Sequence, residues 1–199
     1  MENIAIYGGS FNPPTLGHIQ VVKGVLEHTD IKKIIVAPSG DRLDKSHNIE
    51  HNNRKKLIEI FIKVLKESGV NVDLDLYFFE GKNNGITTTL QEEKYFKQKL
   101  GLEPTFIYGS DVVTHMHNWV GNDNKYIEKK LKKIFINRPG YEFKPQNYSL
   151  DNYILLDIPE LIQVSSSVAR EMIKNKQSVA DILNPEIVKE IINNNLYTK

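Results

Sequence analysis

Six short runs rich in β-branched and aromatic residues, 3–7, 33–37, 72–77, 105–108, 133–136 and 153–156, alternate along this chain with longer stretches of helical period. That alternation restricts the fold more than any other feature. Helices are predicted over Gly17–Glu27, over Asn52–Glu67, where Leu57, Ile58, Phe61, Ile62 and Leu65 fall at helical spacing, and over Thr88–Lys99. Repeated strand–helix units imply an α/β fold, a doubly wound parallel sheet with helices on both faces and right-handed crossovers. From Ser165 onward the pattern is helical only, a C-terminal helical segment in which Pro185 is placed to open the last helix. Residues 121–130 are polar and charged and fit either a loop or an exposed helix. With 199 residues, one substantial core and a single domain over 1–199 are expected.

The first strand runs directly into Gly8-Gly9-Ser10-Phe11-Asn12-Pro13-Pro14-Thr15-Leu16-Gly17-His18, and a helix follows at once. In an open parallel sheet, ligands bind beyond the carboxyl ends of the strands. A glycine pair there lets backbone N–H groups come close to a phosphate, and the helix N-terminus adds its own attraction for anions. His18, in the first turn of that helix, can donate to charge developing on the same phosphates, as imidazole or as imidazolium. The loop has neither a Walker lysine nor the Gly-x-Gly-x-x-Gly spacing, so a P-loop ATPase and a dinucleotide-binding dehydrogenase do not fit.

Composition removes further classes. There is no cysteine, hence no thiolate catalysis, disulfide or Cys-ligated zinc. A formal charge of +1 with lysines interleaved among acids gives no basic stripe for nucleic acid. No run of about 18 apolar residues is present to span a bilayer, and no signal peptide precedes the first strand, so a cytoplasmic protein without membrane contact is expected. Among 26 basic side chains only Arg42, Arg54, Arg138 and Arg170 are arginine, which draws attention to places where a planar fork suits phosphate or carboxylate.

Gly8–His18 resembles the signature of the nucleotidyltransferase superfamily, Gly-x-Phe-x-Pro followed by His/Thr-x-Gly-His, and through it the bacterial nicotinate-nucleotide adenylyltransferases. Thr15 stands at the first histidine position, which leaves the imidazole role to His18 alone. Val164-Ser165-Ser166-Ser167-Val168-Ala169-Arg170 is similar to the family's Ile-Ser-Ser-Thr-x-x-Arg, where hydroxyls, helix N–H groups and the arginine grip the β- and γ-phosphates. Tyr108-Gly109-Ser110-Asp111, with Trp119 beyond it, resembles the strand end that lies against adenosine and the tryptophan that stacks on a pyridine ring. Softer matches are Lys45 at a phosphate-binding lysine position, Arg54 as an internal ion-pairing arginine, the Arg138-Pro139-Gly140-Tyr141 turn, and the ending Val188–Tyr197. Gly85–Leu90 stands where the family has Tyr-Thr-x-Asp-Thr-Leu, with the Tyr and Asp missing. His115 and His117 read as incidental, since no third metal ligand accompanies them.

The resemblance covers residues 4 to 197 and implies a Rossmann-like fold in which ATP is co-substrate, Mg²⁺ bridges its triphosphate, and nicotinate mononucleotide is the acceptor. On that reading His18, Lys45 and Arg170 are catalytic. Gly8, Gly9, Ser10, Phe11, Thr15, Gly109, Asp111, Ser165, Ser166 and Ser167 bind the nucleotide, and Thr87, Thr88 and Trp119 bind the acceptor. No protein metal cage and no nucleic-acid partner are implied, and a homo-oligomer is left open. The competing readings are a relative acting on nicotinamide mononucleotide, on pantetheine phosphate or with CTP, and a nucleotide-binding protein without catalysis.

Overall fold

The computed structural model describes residues 3–40, 49–81, 87–116, 119, 123–137, 150–159, 161–162 and 164–198. Strand β1 (Ile4–Gly9) leads into helix α1 (Leu16–His28), β2 (Lys33–Pro38), α2 (His51–Glu67), β3 (Val72–Leu74), α3 (Thr89–Leu100) and β4 (Thr105–Gly109). A short 3-10 turn, Ser110–Val112, connects to α4 (Val113–Met116), followed by α5 (Asn124–Lys129), β5 (Lys133–Ile136), β6 (Tyr153–Leu156), α6 (Ser166–Lys174) and α7 (Pro185–Asn193). The six strands form one sheet in the order β3-β2-β1-β4-β5-β6, and every adjacent pair is parallel. Parallel pairing forces a crossover after each strand, which is the pattern the alternating sequence demands. Strand order reverses between β1 and β4, so the carboxyl ends of those two strands open the crevice of a Rossmann-like sheet.

The period-2 alternation of each strand sends side chains to two separate cores. Ala5 and Tyr7 of β1, Ile34 and Val36 of β2, and Ile134 and Ile136 of β5 pack with α1, α2, α6 and α7. Ile4 and Ile6, Ile35 and Ala37, and Phe135 point the other way and pack with Phe96 of α3, Val113 and Met116 of α4, and Ile127 of α5. The sheet is therefore covered on both faces, which explains the near-continuous apolar runs of its central strands.

Local chemistry sets the element ends. Asn184 Oδ1 accepts the Glu186 N–H at 2.9 Å and places Pro185 in the first turn of α7, where its missing N–H costs nothing. Ser165 caps α6 by accepting the Val168 N–H at 3.2 Å. β3 is shorter than the predicted 72–77, because the Asp75 carboxylate takes the Tyr77 N–H at 2.9 Å and turns the chain out of the ladder. Asp75 is buried, and Tyr95 at 3.0 Å and Lys99 at 2.6 Å donate to its other oxygen. Of the two alternatives for 121–130, a helix is found in its described part, α5, capped by Asp123 and anchored by the fully buried Ile127, with Lys125 and Lys130 exposed. Buried Lys133 ties this corner together by donating to the carbonyls of Glu128, Leu131 and Asp151 at 2.7–3.0 Å. Burial pushes its ammonium down to about 8.

Candidate functional site

A cleft of about 260 Å³ opens at the β1/β4 switch point. Tyr7 of β1 and Gly109 at the end of β4 form its floor. Thr15, Gly17 and His18 come from the N-terminus of α1, Asp111 from the 3-10 turn, and Leu161, Ile162, Val164, Ser165 and Val168 from the segment entering α6. Five residues singled out from sequence, Thr15, His18, Gly109, Asp111 and Ser165, thus share one wall-to-wall space although they lie up to 150 positions apart.

The His18 ring is oriented by Thr15. The Thr15 backbone N–H donates to His18 Nδ1 at 2.9 Å, and the Thr15 hydroxyl lies 2.8 Å from the same nitrogen. A nitrogen that accepts an N–H cannot carry the ring proton, so the neutral ring holds its proton on Nε2. Of the two forms open at the sequence level, this favours imidazole, because an imidazolium would set one N–H against another. Thr15 is 1% exposed and acts through His18 as well as through its place in the cleft wall.

Gly17 owes its place to close approach. A Cβ there would lie 2.6 Å from the Ile162 carbonyl oxygen, a backbone atom that cannot swing away. Gly17→Ala should therefore push α1 off the segment leading to α6, at roughly 1–3 kcal/mol. A thermal melt indistinguishable from wild type would show that this contact relaxes freely.

Phe11 is placed differently from the sequence reading. Its ring is 1% exposed and sits in the core, with centroids 5.3 Å from Tyr7, 5.1 Å from His18 and 5.7 Å from Phe61. Only its backbone, in the left-handed region at φ 46°, is available to a ligand. Gly8, Gly9 and Ser10 are solvent-accessible beside it. The loop is braced from below by Arg54, whose guanidinium is fully buried. Its Nε donates to the Ser10 carbonyl at 2.9 Å, Nη2 donates to the Ser39 carbonyl, and the group lies 4.8 Å from the Phe79 ring centroid. These carbonyl contacts bridge the ends of β1 and β2.

The serine triplet divides its work. Ser165 caps α6, Ser166 donates to the Pro13 carbonyl at 2.8 Å, and Ser167 Oγ accepts Arg170 Nη2 at 3.1 Å. Arg170 also donates through Nη1 to the Asn12 carbonyl at 2.7 Å, which moors it beside the glycine loop.

The residues expected to meet the acceptor are not among those that line this cleft. Thr87 and Thr88 are half-buried at the start of α3. Thr88 Oγ1 accepts the Gln91 N–H at 3.3 Å while Gln91 Oε1 accepts the Thr88 N–H at 2.9 Å, a capping box. Thr88 is therefore the N-cap of α3. Trp119 is half-buried, with its ring 5.6 Å from Tyr108 at 58°. Near Tyr108, burial pushes the Glu92 carboxyl up to about 8, and burial together with the Glu92 charge raises the Tyr108 phenol. Lys45, Arg138 and His117 lie outside the described residues.

Sequence reading missed the apolar side of the cleft, Tyr7, Val21, Ile136, Leu161 and Ile162. Their apolar character is shared with core residues, and nothing else in the sequence sets them apart.

Comparison with known proteins places the chain in a family. The model of the cytidylyltransferase-like family matches residues 6–172. The "Probable nicotinate-nucleotide adenylyltransferase" of Fusobacterium nucleatum is 31% identical, over 94% of this chain and 96% of its own. The protein of the same name from Pseudothermotoga lettingae is 28% identical, over 96% and 95%. The structure of Plasmodium falciparum nicotinic acid mononucleotide adenylyltransferase complexed with NaAD superposes with a TM-score of 0.83 at 27% identity, covering 99% of this chain and 98% of that one. A family match that runs from β1 into α6 takes in the glycine loop, His18, Asp111 and Arg170 together, and the chain belongs to the cytidylyltransferase-like family.

Proposed function

We propose that this protein is a nicotinate-nucleotide adenylyltransferase, which joins ATP and nicotinate mononucleotide into deamido-NAD and releases pyrophosphate. The observation that carries this reading is the convergence of Thr15, His18, Gly109, Asp111 and Ser165 on one cleft at the switch point of a parallel sheet. Curated relatives of that name, aligned over nearly the whole chain, support it.

In the reaction, the 5′-phosphate oxygen of the acceptor attacks the α-phosphorus of ATP, and the bond from that phosphorus to the bridging oxygen of the β-phosphate breaks. The nucleophile is already ionised, so no general base and no covalent enzyme intermediate are required. The protein must align two polyanions and offset the charge that develops between them. His18 does this as a neutral Nε2–H donor to the α-phosphate, with Lys45 and Arg170 as the cations that meet the departing pyrophosphate. The N–H groups of Gly8 to Phe11 and the N-terminus of α1 cradle the phosphates, and Gly109 and Asp111 border the adenosine. Thr87, Thr88 and Trp119 are assigned to the acceptor, whose pyridine end would extend beyond the cleft toward them.

The donor set suits Mg²⁺ held mainly by phosphate oxygens and water. Asp111 is the one carboxylate among the described residues lining the cleft, and no cluster of three metal-ligating side chains occurs among the described residues. When bound, the ion neutralises triphosphate charge. No described helix is long and apolar enough to cross a membrane, and we place the enzyme in the cytoplasm as one nucleotidyltransferase domain.

The test is pyrophosphate release by the purified protein with Mg²⁺, either ATP or CTP, and each of nicotinate mononucleotide, nicotinamide mononucleotide and pantetheine phosphate. Turnover with ATP and nicotinate mononucleotide is expected to exceed every other pairing. The CTP arm addresses the cytidylyl transfer for which the family is named. Absence of turnover with any pyridine mononucleotide would sink the reading.

A further inference from the structure

The end of the chain closes on the phosphate loop from beneath. Past α7 the backbone turns back through Asn195 and Tyr197, both in the left-handed region at φ 50° and 63°, and buries Leu196 and Tyr197 in the core of the α1 face. The Tyr197 hydroxyl donates to Asn12 Oδ1 at 2.5 Å, a buried bond between residues 185 positions apart. Asn12 is 3% exposed, and its main-chain carbonyl is the acceptor for Arg170 Nη1. One residue of the loop is thus gripped through its side chain by the C-terminus and through its backbone by α6. The next carbonyl, that of Pro13, is held by Ser166.

We propose that Tyr197 is a positioning residue for ATP: by fixing the Asn12 side chain it holds the carbonyl that moors Arg170, and with it the loop, in register for the triphosphate. This rests on the reading of the cleft as a nucleotide site. The chemistry of the contact suits a fixed link. An amide oxygen that accepts a buried O–H pins the amide plane, and removing the donor takes that restraint away. Burial raises the Tyr197 phenol well above its ordinary value, against the opposing pull of Arg170 and Arg54, so the O–H stays a donor at any working pH. Tyr197 also accepts a left-handed backbone, a conformation that β-carbon-bearing residues adopt at a cost and that tertiary contacts must hold in place.

Tyr197→Phe keeps the ring and its packing and removes only the hydroxyl. Binding of a non-hydrolysable α,β-methylene ATP analogue with Mg²⁺, measured by calorimetry, should weaken roughly five- to thirtyfold, the scale of one lost hydrogen bond to a buried polar group. The KM for ATP should rise in parallel while that for the acceptor stays within about twofold. Asn12→Ala should reproduce the ATP defect, and combining it with Tyr197→Phe should add nothing more, because both act through one bond. Unchanged analogue affinity, with or without a lower melting temperature, would overturn the proposal, as would equal weakening of both substrates. Should Tyr197→Phe fail to fold, normal analogue binding by Asn12→Ala would overturn it equally. A variant that loses analogue affinity in a protein that transfers to no pyridine mononucleotide would leave this positioning role standing and remove the acceptor assignment instead.

Discussion

His18→Ala should lower kcat by about two to three orders of magnitude, the scale of removing one preorganised donor to a developing oxyanion. The ring's proton is on Nε2 because Nδ1 accepts the Thr15 N–H, so its donor is set before substrate arrives and needs no reorganisation during the reaction. The same bond gives His18 a second duty. It satisfies one of the N–H groups at the start of α1 that have no intrahelical partner, and its loss should cost about 1 kcal/mol of stability as other cap deletions do. His18→Asn separates the two duties. Its Oδ1 can stand near the position of Nδ1 and accept the Thr15 N–H, while nothing stands where Nε2 was. The expected pattern is a melting temperature near wild type in His18→Asn, a slightly lower one in His18→Ala, and kcat depressed alike in both. Retention of more than about a tenth of wild-type kcat by either variant would remove His18 from the transition state.

Much of the frame is legible without coordinates because its causes are local. Apolar period, capping residues and strand composition act within a few positions, which is why Thr88, Ser165 and Pro185 mark helix starts in both sequence and structure. Sequence reading loses accuracy where a side chain serves a partner far along the chain. Asp75 ends β3 early with its own side chain, and what keeps it buried there is Tyr95 and Lys99 of α3. Phe11 belongs to the phosphate motif by position, yet its ring belongs to the core shared with Phe61. The hydroxyls of Ser165–Ser167, all equal candidates for phosphate on sequence grounds, are differentiated by a helix cap, the Pro13 carbonyl and Arg170. Tyr197 and Asn12 carry no mutual signal at all, since no periodicity links opposite ends of a chain. The cleft residues were recoverable as a group because the three segments that carry them resemble segments of one family, whereas no local physics links them.

Arg54→Met should be the most destabilising single change at the site, because the guanidinium is the joint between two loops. Methionine approximates the length of the arginine stem, so packing is largely kept and the loss falls on polar contacts. The half-buried carbonyls of Ser10 and Ser39 both accept from Arg54, and each acceptor left unsatisfied costs up to about 1–3 kcal/mol. The charge against the Phe79 ring adds about 0.5–2 kcal/mol. Removing a buried charge recovers desolvation energy, which brings the expected net to roughly 2–5 kcal/mol. For a chain of this size that corresponds to a fall in melting temperature of about 4–20 °C. Arg54→Lys supplies the charge without the planar fork, so one ammonium cannot span the two carbonyls as the guanidinium does, and it should recover only part of the loss. The effect should also reach the ligand. A trans peptide sets its C=O and N–H in opposite directions, so drawing the Ser10 carbonyl inward turns the Phe11 N–H away from Arg54 and out of the interior. Releasing that carbonyl frees the amide to rotate, and ATP-analogue affinity in the folded fraction should drop along with stability. A melt within about 2 °C of wild type for Arg54→Met would show that the two loop ends hold their positions without it.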